Sequence, residues 1–453
     1  MLRQLSDRRL SMRFHLALWT AKFITAVSRL LGRGGGTYFP GKIALKIDPK
    51  FVAHIKGIDT AKTVFITGTN GKSTTVNLIH HILTFSGMKV SCNLKGANML
   101  TGVATTLMQD MSFFGRLKTD AIVLETDERY IRLIREQLPA KYIGIVNVQK
   151  DQAQRNGEPS YIMDKLSAAI GKDVTLFVNR DEPNSFSLKS LAGRAISYGV
   201  AENSLSYQKA DDFFTVGSPC PCCHNPLSFG CYNIENIGPF HCPSCGFARN
   251  EQVDYYADEA DFEGKTFSVN GRKYAFNFNT PYFLYCYVLA IAAATELGVP
   301  EKKIAVALKK FENIRGRLET REIAGKTLHY IKMKQENSET TQSSLNLVAK
   351  DNRNKIFMIG YDECLDLYPP LVISFYPFDY DPRGVLDSGV EKWITMSPAM
   401  GRAAALRFLY DGFPEDKMMV LPDSKEDTIR KTLEKLPGDA PVYLVEEIPY
   451  YKK

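Results

Sequence analysis

The residues Thr67-Gly68-Thr69-Asn70-Gly71-Lys72-Ser73-Thr74 follow directly on the apolar run Thr63-Val64-Phe65-Ile66. A buried strand that breaks into glycine, lysine and hydroxyl residues and then continues as a helix is built to cradle phosphate. Backbone N–H groups point at the anion, the Lys72 ammonium reaches the terminal phosphates, and the Ser73 hydroxyl is left to ligate Mg²⁺. The general GxxxxGK spacing asks for a glycine at position 66, where Ile66 stands, so the loop is a variant. A chance glycine-rich turn would not come with strand, loop and helix in this order. ATP is the expected ligand, wrapped by Gly68 to Thr74.

A second candidate group follows the apolar strand Ala121–Leu124, which delivers Glu125 at its end with Asp127 and Glu128 behind it. In an open parallel sheet, ligands sit beyond the carboxyl ends of the strands, so a carboxylate there can hold Mg²⁺ directly or through water. A solvated acidic turn is the bland alternative. Two further strands end in polar residues, one at Asn147 with Lys150-Asp151-Gln152 after it, the other at Asn179-Arg180-Asp181-Glu182. Together they mark one end of the sheet as a site.

Cys220, Cys223, Cys242 and Cys245 form two C-x₂-C pairs, eighteen residues apart. Four thiolates in two knuckles suit tetrahedral Zn²⁺ in a closed, structural site, expected to lie apart from the chemistry. Cys222 and Cys231 are read as spare thiols. No block of lysine and arginine with interleaved aromatics adjoins this ribbon, which argues against a nucleic-acid ligand. No Ser/His/Asp set and no cysteine with a histidine partner offers a nucleophile.

These groups need domains to position them. A chain of 453 residues has room for two or three. Its 44% hydrophobic and 24% charged content is that of a soluble globular protein, and a formal charge of +7 decides nothing by itself. Nine cysteines, several closely paired, suggest a reducing compartment with metal binding rather than a disulfide framework. No stretch reaches the roughly 20 apolar residues that span a bilayer. At the N-terminus, Leu16, Trp19, Phe23, Ala26, Val27 and Leu30 recur at three- and four-residue steps. This face is expected to pack on the next domain rather than on a membrane.

From Thr63 onward strands and helices alternate, and after Arg315-Gly316-Arg317 a second alternating series begins. The expected class is α/β, with a helical lead-in over 1–55, an ATP-binding domain with a parallel sheet over 56–314 and the ribbon inserted at 218–248. A Rossmann-like α/β domain over 315–453 completes the chain. Expected strands of the last domain are Thr327–Ile331, Lys355–Ile359, Leu371–Phe375, Lys392–Thr395, Met418–Leu421 and Val442–Val445.

The order TGTNGKST, LETDE, NVQKDQ, VNRDEP and GRLE, with the inserted Cys₄ ribbon, resembles the Mur ligases. The lead-in LGRGGGTYFPGKIALKIDP and the segment GANMLTGVATTL narrow the likeness to their MurT-type branch. The resemblance implies ATP-dependent activation of a carboxylate as an acyl-phosphate. Amidation of the glutamate of lipid II would follow, with ammonia from a GatD-like class-I glutaminase subunit in a heterodimer. It implies that Lys72 and Ser73 hold phosphate and Mg²⁺, that Glu125 is a metal carboxylate, and that Asn179, Asp181 and Arg317 contact the nucleotide. It also implies a cytoplasmic protein, with the inner face of the membrane as an option and peripheral membrane contact through the substrate. Two stretches depart from the pattern. Tyr282-Phe283-Leu284-Tyr285-Cys286 stands where an Asn-x-x-Asn pair is usual. Asp362-Glu363-Cys364-Leu365-Asp366 stands in place of Ala-Asp-Gly-x-Asp, leaving Asp362 and Asp366 as the acidic candidates of the second domain. A diverged ligase with another acceptor or amine, and a zinc-ribbon ATPase without ligase activity, remain the alternatives.

Overall fold

The computed structural model describes residues 2–30, 36–94, 96–151, 158–208, 219–249, 252–277, 281–312, 318–332, 337–361, 376–397 and 400–446. The first large sheet has nine strands. Their order across is Arg272–Ala275, Thr266–Val269, Tyr255–Asp261, Arg194–Val200, Thr175–Asn179, Tyr142–Ile145, Thr63–Thr67, Ala121–Glu125 and Val90–Cys92. From Tyr255–Asp261 to Val90–Cys92 the neighbours pair in parallel, and the two remaining strands join antiparallel at one edge. Parallel strands covered on both faces read as unbroken apolar runs. Val64, Phe65 and Ile66 are all fully buried, with Val64 and Ile66 in the core on one face and Phe65 in the core on the other.

One face carries the helices Lys72–Phe85, Pro281–Glu296 and Glu301–Lys309; the other carries Leu2–Leu30, Leu100–Asp110, Ile131–Gln137 and Pro159–Ser167. The helix Pro281–Glu296 is buried all round from Leu284 to Ala294, which its alanine-rich sequence permits. It approaches the sheet where Gly144 leaves room, since a Cβ there would stand 2.8 Å from Ile66 Cδ1 and 3.3 Å from Leu289. The Cys-rich insertion is a small unit around the two-stranded pairing of Ser228–Phe229 with Phe240–His241.

The second sheet orders Leu318–Ile323, Lys326–Lys332, Val442–Glu446, Lys355–Gly360, Val390–Met396 and Met418–Leu421, parallel except for the hairpin at Leu318–Ile323. The expected strand Leu371–Phe375 lies outside the described residues. The core on one side centres on Trp393, fully buried with ring centroids 4.4 Å from Phe408, 4.5 Å from Phe357 and 5.3 Å from Phe413.

One expectation is reversed. The N-terminal helix packs on the neighbouring helices, but through Phe14, Ala17, Leu18, Ala21 and Thr25. Leu16, Trp19, Phe23, Val27 and Leu30 point outward, from 36% to 87% exposed. The small side chains Ala17 and Ala21 let the helix lie close against the helices Phe39–Ile47 and Leu100–Asp110. Larger residues would hold it away.

Trp393→Ala is expected to cost about 3–5 kcal/mol in the second domain, as for other buried aromatic truncations. Chemical denaturation followed by circular dichroism should show that domain unfolding earlier.

Candidate functional site

The phosphate loop is held in place by the segment that follows strand Tyr142–Ile145. Gly68, at φ +117°, lies so close that a Cβ would meet Asn147 O at 2.5 Å. Thr69 N donates to Asn147 O at 2.9 Å, and Asn70 N donates to Asn147 Oδ1 at 2.9 Å. Gln149 N donates to Thr69 Oγ1 at 2.9 Å, while Asn70 Nδ2 donates to Gln149 Oε1 at 2.8 Å. Gly71, at φ +83°, takes the left-handed conformation that starts the helix Lys72–Phe85.

Lys72 is buried and turned back on the loop, its Nζ donating to Gly68 O and, at 3.1 Å, to Thr69 O. Glu128 Oε2 stands 3.3 Å from the same ammonium. Ser73 Oγ donates to Glu125 Oε2 at 2.6 Å. Glu125 is fixed from both sides: its N–H donates to Asn93 Oδ1 at 2.8 Å, and its other carboxylate oxygen accepts from Asn98 Nδ2 at 3.2 Å. The Thr67 and Thr74 hydroxyls are buried with no hydrogen-bond partner among the described residues.

Three carboxylates therefore crowd one strand end. Burial, reinforced by the charge of Glu128, pushes the Asp127 carboxyl above its ordinary range. Burial with the charges of Glu125 and Asp127 likewise raises the Tyr38 phenol. A half-buried hydroxyl bonded to a carboxylate, beside a lysine and a helix N-terminus, matches the donor set of a Mg²⁺–phosphate site.

Asn179 and Asp181 stand at the end of the next strand but turn inward. Asn179 Oδ1 accepts from Asp181 N at 3.1 Å. Asp181, fully buried, accepts from Arg249 Nη1 at 2.6 Å, Val200 N at 2.8 Å and Tyr285 OH at 3.1 Å. Arg317, Asp362 and Asp366 lie outside the described residues.

The four cysteines converge, with all their Sγ atoms within 4.8 Å of one another and the closest pairs at 3.5 and 3.7 Å. Thiolates at about 2.3 Å from a tetrahedral ion would stand at such separations. Backbone turns shape both knuckles: His224 N donates to Cys220 O at 2.9 Å and Gly246 N to Cys242 O at 3.0 Å. The Asn225 N–H is the largest influence lowering the Cys223 thiol to about 6. The set fits closed structural zinc.

The insertion is not set apart from the loop. Its buried Glu235, at φ +50°, accepts from Gln149 Nε2, and Gln149 in turn holds Asn70. The neighbouring Asn236 Nδ2 donates to Glu339 Oε1 of the second domain. That domain reaches the site at the start of the helix Ser338–Ala349. Asn337 caps it, accepting from Thr340 N at 2.7 Å, and donates to Lys150 O at 2.9 Å. Thr340 Oγ1 accepts from Asn70 Nδ2 at 3.0 Å. Lys150 also pairs with Asp379 at 3.1 Å.

Sequence reasoning did not single out Asn93, Gln149, Glu235 or Thr340. A polar residue just past a strand end was the available signal for Gln149; Glu235 and Thr340 had none.

Comparison with known proteins follows the same lines. Residues 66–236 match the Mur ligase middle domain. The lipid II isoglutaminyl synthase (glutamine-hydrolyzing) subunit MurT of Staphylococcus aureus (strain COL) is 30% identical over 312 residues, 68% of this chain and 69% of that one. Among solved structures, a pseudomurein peptide ligase type C from Methanothermus fervidus superposes with TM-score 0.61 at 17% identity, covering 88% of this chain and 78% of that one. The MurF ligase from Thermotoga maritima in complex with ADP superposes with TM-score 0.55 at 14% identity, covering 90% and 80%.

Two outcomes are expected here. Chelation, or Cys242→Ser, should lower the melting temperature and, through Glu235, Gln149 and Asn70, weaken nucleotide binding; calorimetry reads both. The second concerns Glu182, which accepts N–H bonds from Ser185, Asn184 and Val148 and whose carboxyl burial raises to about 7. A raised folded value means a contribution present below the unfolded value near 4.5 and lost as pH rises through about 7. Glu182→Gln should flatten the stability profile between those two values, though its absolute stability falls with the lost acceptor.

Proposed function

We infer the activity from the family: the chain belongs to the Mur ligases, on their MurT branch. It is an ATP-dependent ligase of the Mur type that amidates the glutamate of lipid II, the substrate named for its MurT relatives. The arrangement that carries the reading is Ser73 Oγ bonded to Glu125 Oε2 at 2.6 Å, beneath Lys72 and the helix N-terminus. Ser73 and Glu125 would hold Mg²⁺, which when bound offsets charge on the phosphoryl group in transfer.

The chain's own residues position and neutralise. The start of the helix, from Gly71 to Thr74, presents backbone N–H groups to the phosphates, while Thr69 and Asn70 give theirs to Asn147 and hold the loop in place. Lys72 leaves its contacts with Gly68 O, Thr69 O and Glu128 to meet the terminal phosphate. Asn93 and Asn98 keep Glu125 aimed at Ser73. Phosphoryl transfer asks little more of a protein than alignment and charge stabilisation, and the site contains no separate nucleophile among the described residues. The activated carboxylate would then take ammonia from a GatD-like class-I glutaminase partner in a heterodimer. The resemblance would add Arg317 as a nucleotide contact and Asp362 and Asp366 as carboxylates for the acceptor step, and Asn179 and Asp181 would act through the turn they shape. Zn²⁺ on Cys220, Cys223, Cys242 and Cys245 would stiffen the insertion. ATP and a lipid-linked precursor would both be met in the cytoplasm, the precursor at the inner face of the membrane.

Lys72→Ala should weaken ATP binding by about 1.5–3 kcal/mol, the scale of a charge-assisted contact, with the fold retained. The reaction itself is tested by incubating the protein with ATP, glutamine, the candidate glutaminase and lipid II. Mass spectrometry should find a carboxamide in place of one carboxylate, dependent on Lys72. Amidation by the Lys72→Ala variant at the parent rate would remove the loop from the reaction, and ATP hydrolysis without amidation would assign another acceptor.

A further inference from the structure

The outward face of the N-terminal helix is apolar over several turns. Met12, Leu16, Trp19 and Phe23 are 52% to 71% exposed, and Val27 and Leu30 extend the row. Their spacing of three and four residues is that of one continuous helix face. A second element enlarges it. The turn after the helix Leu100–Asp110 exposes Phe113 by 68% and Phe114 by 85%. That turn is fastened to the helix by Trp19 Nε1 donating to Phe113 O at 3.0 Å and Lys22 Nζ donating to Met111 O at 2.8 Å. Large aromatic and aliphatic side chains from two elements thus share one surface. Soluble proteins seldom leave such a patch uncovered.

Charge identifies the cover. The first 50 residues hold Arg3, Arg8, Arg9, Arg13, Lys22, Arg29, Arg33, Lys42, Lys46 and Lys50 against only Asp7 and Asp48. That is ten positive against two negative, a net +8, while the whole chain carries +7; the other 403 residues together carry −1. The chain's entire positive excess therefore sits on the segment that bears the apolar face. We propose that this face, with Phe113 and Phe114, is a docking surface for an anionic lipid bilayer. The 29-residue helix runs about 43 Å and would lie in the plane of the interface, its aromatic side chains among the acyl chains and the exposed Arg13 and Arg29 against the headgroups. No helix among the described residues is long and apolar enough to cross a membrane, so the contact is peripheral. A second copy fits less well, because face-to-face packing would bring two strongly basic helices together. The inference goes beyond the ligase reading and stands on this surface alone; a lipid-linked substrate gives it a use.

The test uses the full chain and vesicles without substrate, so that its failure is separate from failure of the ligase reading. The protein is pelleted with vesicles of phosphatidylcholine containing phosphatidylglycerol, and with phosphatidylcholine alone. Binding should be at least about tenfold tighter to the anionic vesicles and weaken with added salt. Tryptophan emission should shift to the blue on binding and report Trp19 alone, since Trp393 is fully buried. Leu16→Glu/Phe23→Glu, and separately Phe114→Ser, should each lower vesicle affinity about tenfold or more while the melting temperature and ATP binding hold, because these side chains face solvent. Absence of pelleting, or pelleting undiminished in both variants, would overturn the proposal. So would a dimer in analytical ultracentrifugation, or a complex with the glutaminase, that the same substitutions dissolve without any vesicle binding by the parent.

Discussion

The clasp between the phosphate loop and residues 147–149 is the constraint on which the site depends. A glycine-rich loop has many conformations, and an anion site works only if its N–H groups are already aimed. Here Thr69 and Asn70 are bonded to Asn147 and Gln149 through both backbone and side chains. Gly68 makes this possible because any Cβ would collide with Asn147 O. The loop's geometry is thus borrowed from the neighbouring strand, whose own position follows from parallel pairing with Thr63–Thr67.

That borrowed geometry is itself braced from further out. Glu182 holds Val148 N at 3.1 Å, and Asp181 beside it ties Arg249, immediately after the insertion, to Tyr285 of the buried helix. Glu235 adds a second tie from the insertion to Gln149. A cysteine-rich insertion that looks peripheral in the sequence becomes a support for the phosphate loop. Asp181 cannot serve this brace and also lie open to solvent. Its contribution to nucleotide binding would run through the turn it anchors.

What was legible in the sequence was what local chemistry dictates. Strand, loop and helix at 63–85 follow from an apolar run meeting Gly71 and Lys72, and the knuckles follow from cysteine spacing. The strand Arg194–Val200 was not legible, since it begins exposed at Arg194 and Ala195 and gains its apolar character only further on. Tyr255–Asp261, with Asp258, Glu259 and Asp261 in it, reads as polar because one side of it faces solvent at the antiparallel edge. The N-terminal helix misled for a different reason. Periodicity locates an apolar face but does not say which face meets the protein, and two alanines on the other side decided it.

The second domain shows where long-range contacts defeat pattern reading. Asn337 has the signature of a helix cap, and its side chain does accept from Thr340 N. Nothing in that signature indicates that its amide also reaches Lys150 O, or that Thr340 meets Asn70, 270 residues earlier in the chain. These contacts put the cap of one domain on the phosphate loop of the other. Nucleotide occupancy and domain placement therefore share residues. A ligand that draws Asn70 toward a phosphate must either keep or release Thr340, so occupancy of the loop is felt at that bond.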